Sequence, residues 1–128
     1  MTAPTATYTV KFRRRNGNGK VPPSGRIPRV TRLLALAHRI EGMIRSGELR
    51  DWAEAARIVG VTRARMTQVA NLLLLAPEIQ EIILTLRPIA ERRDPVTGST
   101  LRALVTHGDW VLQARAWQAL QLFPLASR

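Results

Sequence analysis

The sequence predicts an all-α fold of five to six helices behind an extended, basic N-terminal arm. Three observations carry this. From Val30 onward apolar residues recur at intervals of three and four, the period of a helix with one buried face. Residues that cap helix N-termini stand directly ahead of several of these periodic segments. Only one short stretch, near the N-terminus, alternates like a strand, and a lone strand makes no sheet within one chain. With 128 residues the chain holds one core, not two. Residues 1–28 read as a basic arm and linker, and residues 29–128 as one helical domain with a C-terminal helical extension.

The elements follow in order. Residues 1–6 are small and polar. In the next segment Tyr8, Val10 and Phe12 alternate with Thr9, Lys11 and Arg13, which suggests a short strand or an extended arm. Asn16 to Pro28 is dense in Gly and Pro and reads as a flexible linker. Leu33, Leu34, Leu36, Ala37, Ile40, Met43 and Ile44 then define a helix over Val30–Ser46, ended by Gly47. Asp51 caps a second helix, Trp52–Val59, with Glu54 at the position of a capping box and Gly60 as its stop. Thr62 caps a third, Arg63–Leu75, and Pro77 opens a fourth whose inner face is Ile79, Ile82, Ile83 and Leu86. Arg87–Ser99 is mostly turn, with Ile89–Arg92 as a candidate extension of that helix. A short helix is expected at Thr100–Thr106, and a last one, capped by Asp109, at Trp110–Phe123.

Charge excludes more than length does. Twenty basic side chains stand against nine acidic ones, for a net charge of +11, so a polyanion is the expected partner. The excess is polar along the chain. Residues 1–40 hold nine Lys or Arg and no acid, whereas Met66 to Arg128 holds six basic against five acidic residues. Eighteen of the twenty are Arg, whose planar fork suits phosphate and guanine edges. A GC-rich coding sequence would also favour Arg over Lys, but it leaves the polarity unexplained.

No enzymatic constellation emerges. Cysteine is absent, which removes thiol chemistry, disulfides and Cys-based zinc sites. His38 falls mid-helix and reads as a surface or half-buried side chain, and His107 as a turn residue. Glu78 and Glu81 share a helix face in the manner of solvated charge, not of an acid–base pair. The run NGNGK at 16–20 is too short and misplaced for a phosphate loop. No catalytic residue, metal ligand or cofactor is expected. No run approaches the ~20 apolar residues of a membrane span, and the N-terminus lacks the apolar segment of a secretory leader. The expectation is a cytoplasmic, nucleoid-associated protein with no membrane partner.

The informative segment is WAEAARIVGVTRARMTQVAN, Trp52–Asn71. A helix-turn-helix requires a small residue where its helices cross, a turn residue without a Cβ four positions on, and apolar residues that bury the second helix. Ala56, Gly60, and Val61, Met66 and Val69 meet these needs in that order. With Met66, Val69 and Leu73 turned inward, Thr62, Arg63, Ala64, Thr67, Gln68 and Asn71 are expected to face out. Such a face suits a major groove. Arg63 matches guanine, Gln68 and Asn71 match adenine, and Thr67 can meet a thymine methyl. Phosphate contacts are expected from Thr62 and Arg65 beside the helix N-terminus, from Arg13, Arg14 and Arg15 in the arm, and from Arg29 and Arg32. An ordinary αα-hairpin with a solvated polar face is the alternative.

GVTRARMTQVANLLLLAPEIQEIIL resembles the DNA-binding region of ParB-type partition proteins. There a Gly-x-Ser/Thr-Arg recognition helix runs into a Leu-rich stretch, then Leu-x-Pro-Glu and a further helix; Leu75-Ala76-Pro77-Glu78 fills the last part here. The resemblance covers about Leu49–Leu86 and implies a DNA-reading helix. The nucleotide-binding domain of those proteins has no counterpart in residues 1–28, so CTP-driven clamping is not implied. The chain as a whole is more similar to small helix-turn-helix proteins of bacteria and phages, often encoded beside serine recombinases. That similarity implies a recombinase as a candidate partner.

On the last helix Trp110, Ala114, Trp117 and Gln121 share a face, with Gln113 and Leu120 beside it. Two Trp residues there close a core or a dimer interface more readily than they stack on bases. Two function classes stay open. One is a sequence-specific double-stranded DNA-binding protein, a homodimer or a monomer with an arm, acting in transcription or in recombination. The other is a helical adaptor whose arm binds nucleic acid non-specifically. RNA binding is weaker, for want of a base-stacking platform.

Overall fold

The computed structural model describes residues 25–90 and 93–120. It contains α1 (Arg29–Arg45), α2 (Trp52–Val59), α3 (Arg63–Asn71), α4 (Pro77–Leu84), α5 (Gly98–Val105) and α6 (Trp110–Ala119). Among the described residues there is no strand, and the fold is all-α. The segment Tyr8–Arg15, with Lys11, Arg13, Arg14 and Arg15, lies outside the described residues, as do the expected last turn of the final helix through Phe123 and residues 91–92.

Caps fall where side-chain chemistry puts them. Asp51 Oδ1 accepts the Glu54 N–H at 2.8 Å, Thr62 Oγ1 the Arg65 N–H at 3.1 Å, and Asp109 Oδ1 the Val111 N–H at 2.8 Å. The capping box at Asp51 is only half built. The Glu54 carboxylate meets Arg50 Nε at 2.8 Å, and that hydrogen bond holds its carboxyl below the usual range. The fifth helix starts at Gly98 instead of Thr100, because Thr97 caps it and accepts from the Thr100 N–H.

α2 and α3 pack against each other across the three-residue connection Gly60-Val61-Thr62, which makes the helix-turn-helix. The Ala56 carbonyl accepts from both Gly60 N–H at 2.9 Å and Val61 N–H at 3.0 Å, a closure that needs Gly60 in the left-handed region at φ 81°. Ala56, Met66 and Val69 are buried beneath the turn. Gly47 ends α1 at φ 85°, and a Cβ at either glycine would meet nothing within 4 Å. The two turns are therefore equivalent in steric terms, and Gly60 is no more confined than Gly47. Gly60→Ala and Gly47→Ala should each cost about 1–2 kcal/mol through backbone conformation alone. Parallel thermal unfolding of the two variants checks this, and a markedly larger loss at Gly60 would contradict the open space around it.

The third helix is shorter than its apolar pattern suggests. It stops at Asn71, and Leu72–Leu74 tightens into a single 3₁₀ turn. Pro77 is the cause, since the residue before a proline is pushed out of the α region. Ala76 and Leu75 are extended at ψ 140° and 148°, so the helix must end before them. The polar groups left open by this break are met from a distance. Gln80 Nε2 donates to the Leu73 and Leu75 carbonyls at 3.1 and 2.8 Å. The buried Gln113 side chain accepts from the Ala76 N–H at 2.7 Å and donates to the carbonyls of Leu74 and His107 at 3.1 and 2.9 Å.

The core forms two continuous clusters with α1 running through both. Leu36, Ala37, Ile40, Met66 and Val69 seat the helix-turn-helix on α1. Val30, Leu34, Leu75, Ile79, Leu101 and Trp117 tie α1 to α4, α5 and α6. Leu33 and Leu73 pack against both. On the inner face of α4 Ile79 and Ile83 are buried and Ile82 is half-buried, while Leu86, expected on the same helix face, lies half-buried just past the helix end. The two tryptophans of α6 part company: Trp117 is fully buried, whereas Trp110, on its first turn, is 55% exposed.

The linker expected through Pro28 is attached to the fold from Gly25 onward. Arg26 and Ile89 exchange backbone hydrogen bonds at 2.9 and 2.8 Å, the Arg26 guanidinium pairs with Asp94, and Pro28 is buried. Ile89 is thereby held in a bridge and does not extend α4.

Candidate nucleic-acid interface

α3 presents three kinds of face. Met66 and Val69 are buried against α1 and α2. Arg63, Thr67 and Asn71, spaced by four residues, lie exposed together with Thr62 and Ala64. Thr67 Oγ1 donates to the Arg63 carbonyl at 2.9 Å, so its methyl and an acceptor lone pair remain for a ligand.

Gln68 departs from the expected outward face. It is half-buried, its Oε1 accepts from Arg65 Nη1 at 3.2 Å, and both side chains line a small cleft between α1, α3 and α5. The physical reason is the position of α5, which packs beside α3 and covers that flank. Nothing local in Trp52–Asn71 encodes this contact. Arg65, expected beside a phosphate, is on the same flank.

The charge of this flank is one-sided. Arg65 is held below its ordinary range first by burial, then by the positive charges of Arg29 and Arg102, with no carboxylate among the described residues acting the other way. Arg29 is the first residue of α1, exposed, with its N–H bonded to Asp94 Oδ2 at 3.1 Å. Arg32 is exposed on the same first turn. Arg102 belongs to α5 and donates to Ser99 Oγ at 3.1 Å. Sequence reasoning missed Arg102, because a single Arg in a short helix carries no signal until its neighbour across the fold is known. Arg13, Arg14 and Arg15 fall outside the described residues.

Neither histidine gathers chemistry around it. His38 Nε2 meets Gln80 Oε1 at 2.7 Å, and since Gln80 Nε2 already donates twice, the ring nitrogen is the donor. His107 serves the fold through its carbonyl. Among the described residues no group of three His, Cys, Asp or Glu is placed to hold a metal ion, and no helix is long and apolar enough to cross a membrane. No family model, characterised protein or solved structure compared with the chain matches it.

Proposed function

We propose that this protein binds double-stranded DNA sequence-specifically, with α3 in the major groove, as a transcriptional regulator or an accessory factor of a mobile element. The observation that carries the reading is the exposed row Arg63, Thr67 and Asn71 on a short helix buried along its opposite side. A major groove about 12 Å wide admits one helix, and a row spaced by one turn can meet successive base edges. α3 carries no acid in its first turn, and the chain's net charge of +11 favours a phosphate polymer. The resemblance of Leu49–Leu86 to ParB-type DNA-binding regions points the same way. Nucleoid association in the cytoplasm, and a recombinase as protein partner, belong to this proposal.

Selection from a randomised duplex library tests it. Enrichment of one motif is expected, and a library that stays random would sink sequence-specific reading. Within the motif, Arg63→Ala should cost about 1–3 kcal/mol and relax preference at one base pair. Titration of the variant against preferred and scrambled duplexes checks this; equal weakening on both would make Arg63 a phosphate contact. A second reading, a protein-binding adaptor whose basic arm binds nucleic acid non-specifically, is favoured by the exposed Trp110, Val111 and Leu112 at the start of α6, an apolar surface for a partner protein. An adaptor enriches no sequence in the same selection.

A further inference from the structure

The flank of α3 holds a small cleft whose lining is mostly apolar, with Val30, Leu33 and Leu101 among its walls, and which gathers two guanidinium groups from different helices. Arg65 from α3 and Arg102 from α5 line it together, with Gln68 and Gly98 between them. Val30 contributes a wall, so the first turn of α1 and the first residue of α5 both reach this cleft. Helix N-termini carry partial positive charge that adds to the two guanidinium groups, although Asp94 takes the first N–H of α1 and Thr97 caps α5. Arg29 begins α1 one residue before Val30 of the cleft wall, and its charge adds to the burial that holds Arg65 below its ordinary range. Asp94, the carboxylate beside Arg29, is engaged by the Arg29 N–H and the Arg26 side chain. Among the described residues neither Arg65 nor Arg102 has a carboxylate within ion-pair distance, so an anion drawn into the cleft would relieve the repulsion between them.

We propose that Arg65 and Arg102, with Arg29 as a third charge, form a clamp for one phosphodiester of the DNA backbone beside the helix that reads the groove. This rests on the DNA-binding reading above and adds α5 to it. One strand of the duplex then passes over the α1–α5 side of α3, while Arg63, Thr67 and Asn71 enter the groove. The clamp sets register and carries no sequence information, as phosphate contacts do not.

The test is a salt titration of the full chain on its selected duplex and on random duplex, for wild type, Arg102→Gln and Arg102→Lys. Arg102 is exposed and its guanidinium donates to Ser99 of the same helix, so circular dichroism and melting of both variants should match wild type. Arg102→Gln should flatten the log–log salt slope by about 0.9 on both duplexes, so the fall in affinity from about 50 to 200 mM salt becomes about threefold smaller. The order of preferred sites should not change, and Arg102→Lys should keep the wild-type slope. An unchanged slope in Arg102→Gln overturns the clamp while leaving the DNA reading intact. A wild type that selects no motif, yet shows this Arg102-dependent slope on random duplex, overturns sequence-specific reading and keeps the clamp; no DNA binding at all ends both. Calorimetric titration with inorganic phosphate separates the source. Saturable binding without DNA that Arg102→Gln abolishes would assign the cleft to a free anion and overturn the backbone contact.

Discussion

Replacing Gln113 by Leu is expected to destabilise the protein by about 3–5 kcal/mol, more than a polar-to-apolar change of similar volume costs on a surface. The side chain is 1% exposed and has its amide committed to three backbone groups: the Ala76 N–H and the carbonyls of Leu74 and His107. Leu fills the space and satisfies none of them. Each buried group left without a partner costs about 1–3 kcal/mol, and Leu74 and Ala76 flank the break that lets the chain turn from α3 into α4. In a domain of this size each kcal/mol lowers the melting temperature by roughly 4–8 °C, so a fall well above 10 °C is expected. Thr31→Val gives the scale. Thr31 Oγ1 donates one buried hydrogen bond to the Ile83 carbonyl at 2.7 Å, and its loss should cost only about 1–2 kcal/mol. Urea denaturation of both variants makes the comparison, and equal losses would mean that water replaces the Gln113 amide.

Gln113 also marks where the sequence stops being legible. The helix-turn-helix is written locally: Asp51 and Thr62 cap, Gly60 turns, and Ala56, Met66 and Val69 bury, all within twenty residues and by spacing alone. Gln113 has no such local signature. Beside Trp110 and Trp117 it reads as one more polar residue on a mixed helix, and its role exists only because Pro77 breaks the preceding helix far away in sequence. The Leu72–Leu75 run misleads for the same reason, since apolar periodicity continues through a point where the backbone cannot. Gln68 and Arg102 are the site's version of this limit. A helix wheel divides α3 into two faces, inside and outside, but α5 creates a third, and only the packed fold turns Arg65 and Gln68 toward it. Arg26 shifts the other boundary: one ion pair and one bridge draw the end of an apparent linker into the domain.

That boundary decides how the arm should be removed. Deleting residues 2–24 takes away Lys11, Arg13, Arg14, Arg15 and Lys20 and no acid, lowering the net charge from +11 to +6, since 11 − 5 = 6. Cutting through Pro28 would also remove the Arg26 contacts with Ile89 and Asp94 and confuse a binding defect with a folding one. If the five cations neutralise phosphates, each contributes about 0.9 to the log–log salt slope, so the truncated protein should lose up to about 4.5 units. Binding to every duplex should weaken steeply with salt-dependent force, while the ranking of sites barely moves, because backbone neutralisation is blind to sequence. The rival expectation pairs Tyr8–Arg15 as a strand between two copies of the chain. It predicts that truncation abolishes a dimer and leaves the slope per bound protomer as it was. Sedimentation of the truncated protein beside the salt titration separates the two, and a lost dimer with an unchanged slope would overturn the arm as a phosphate contact.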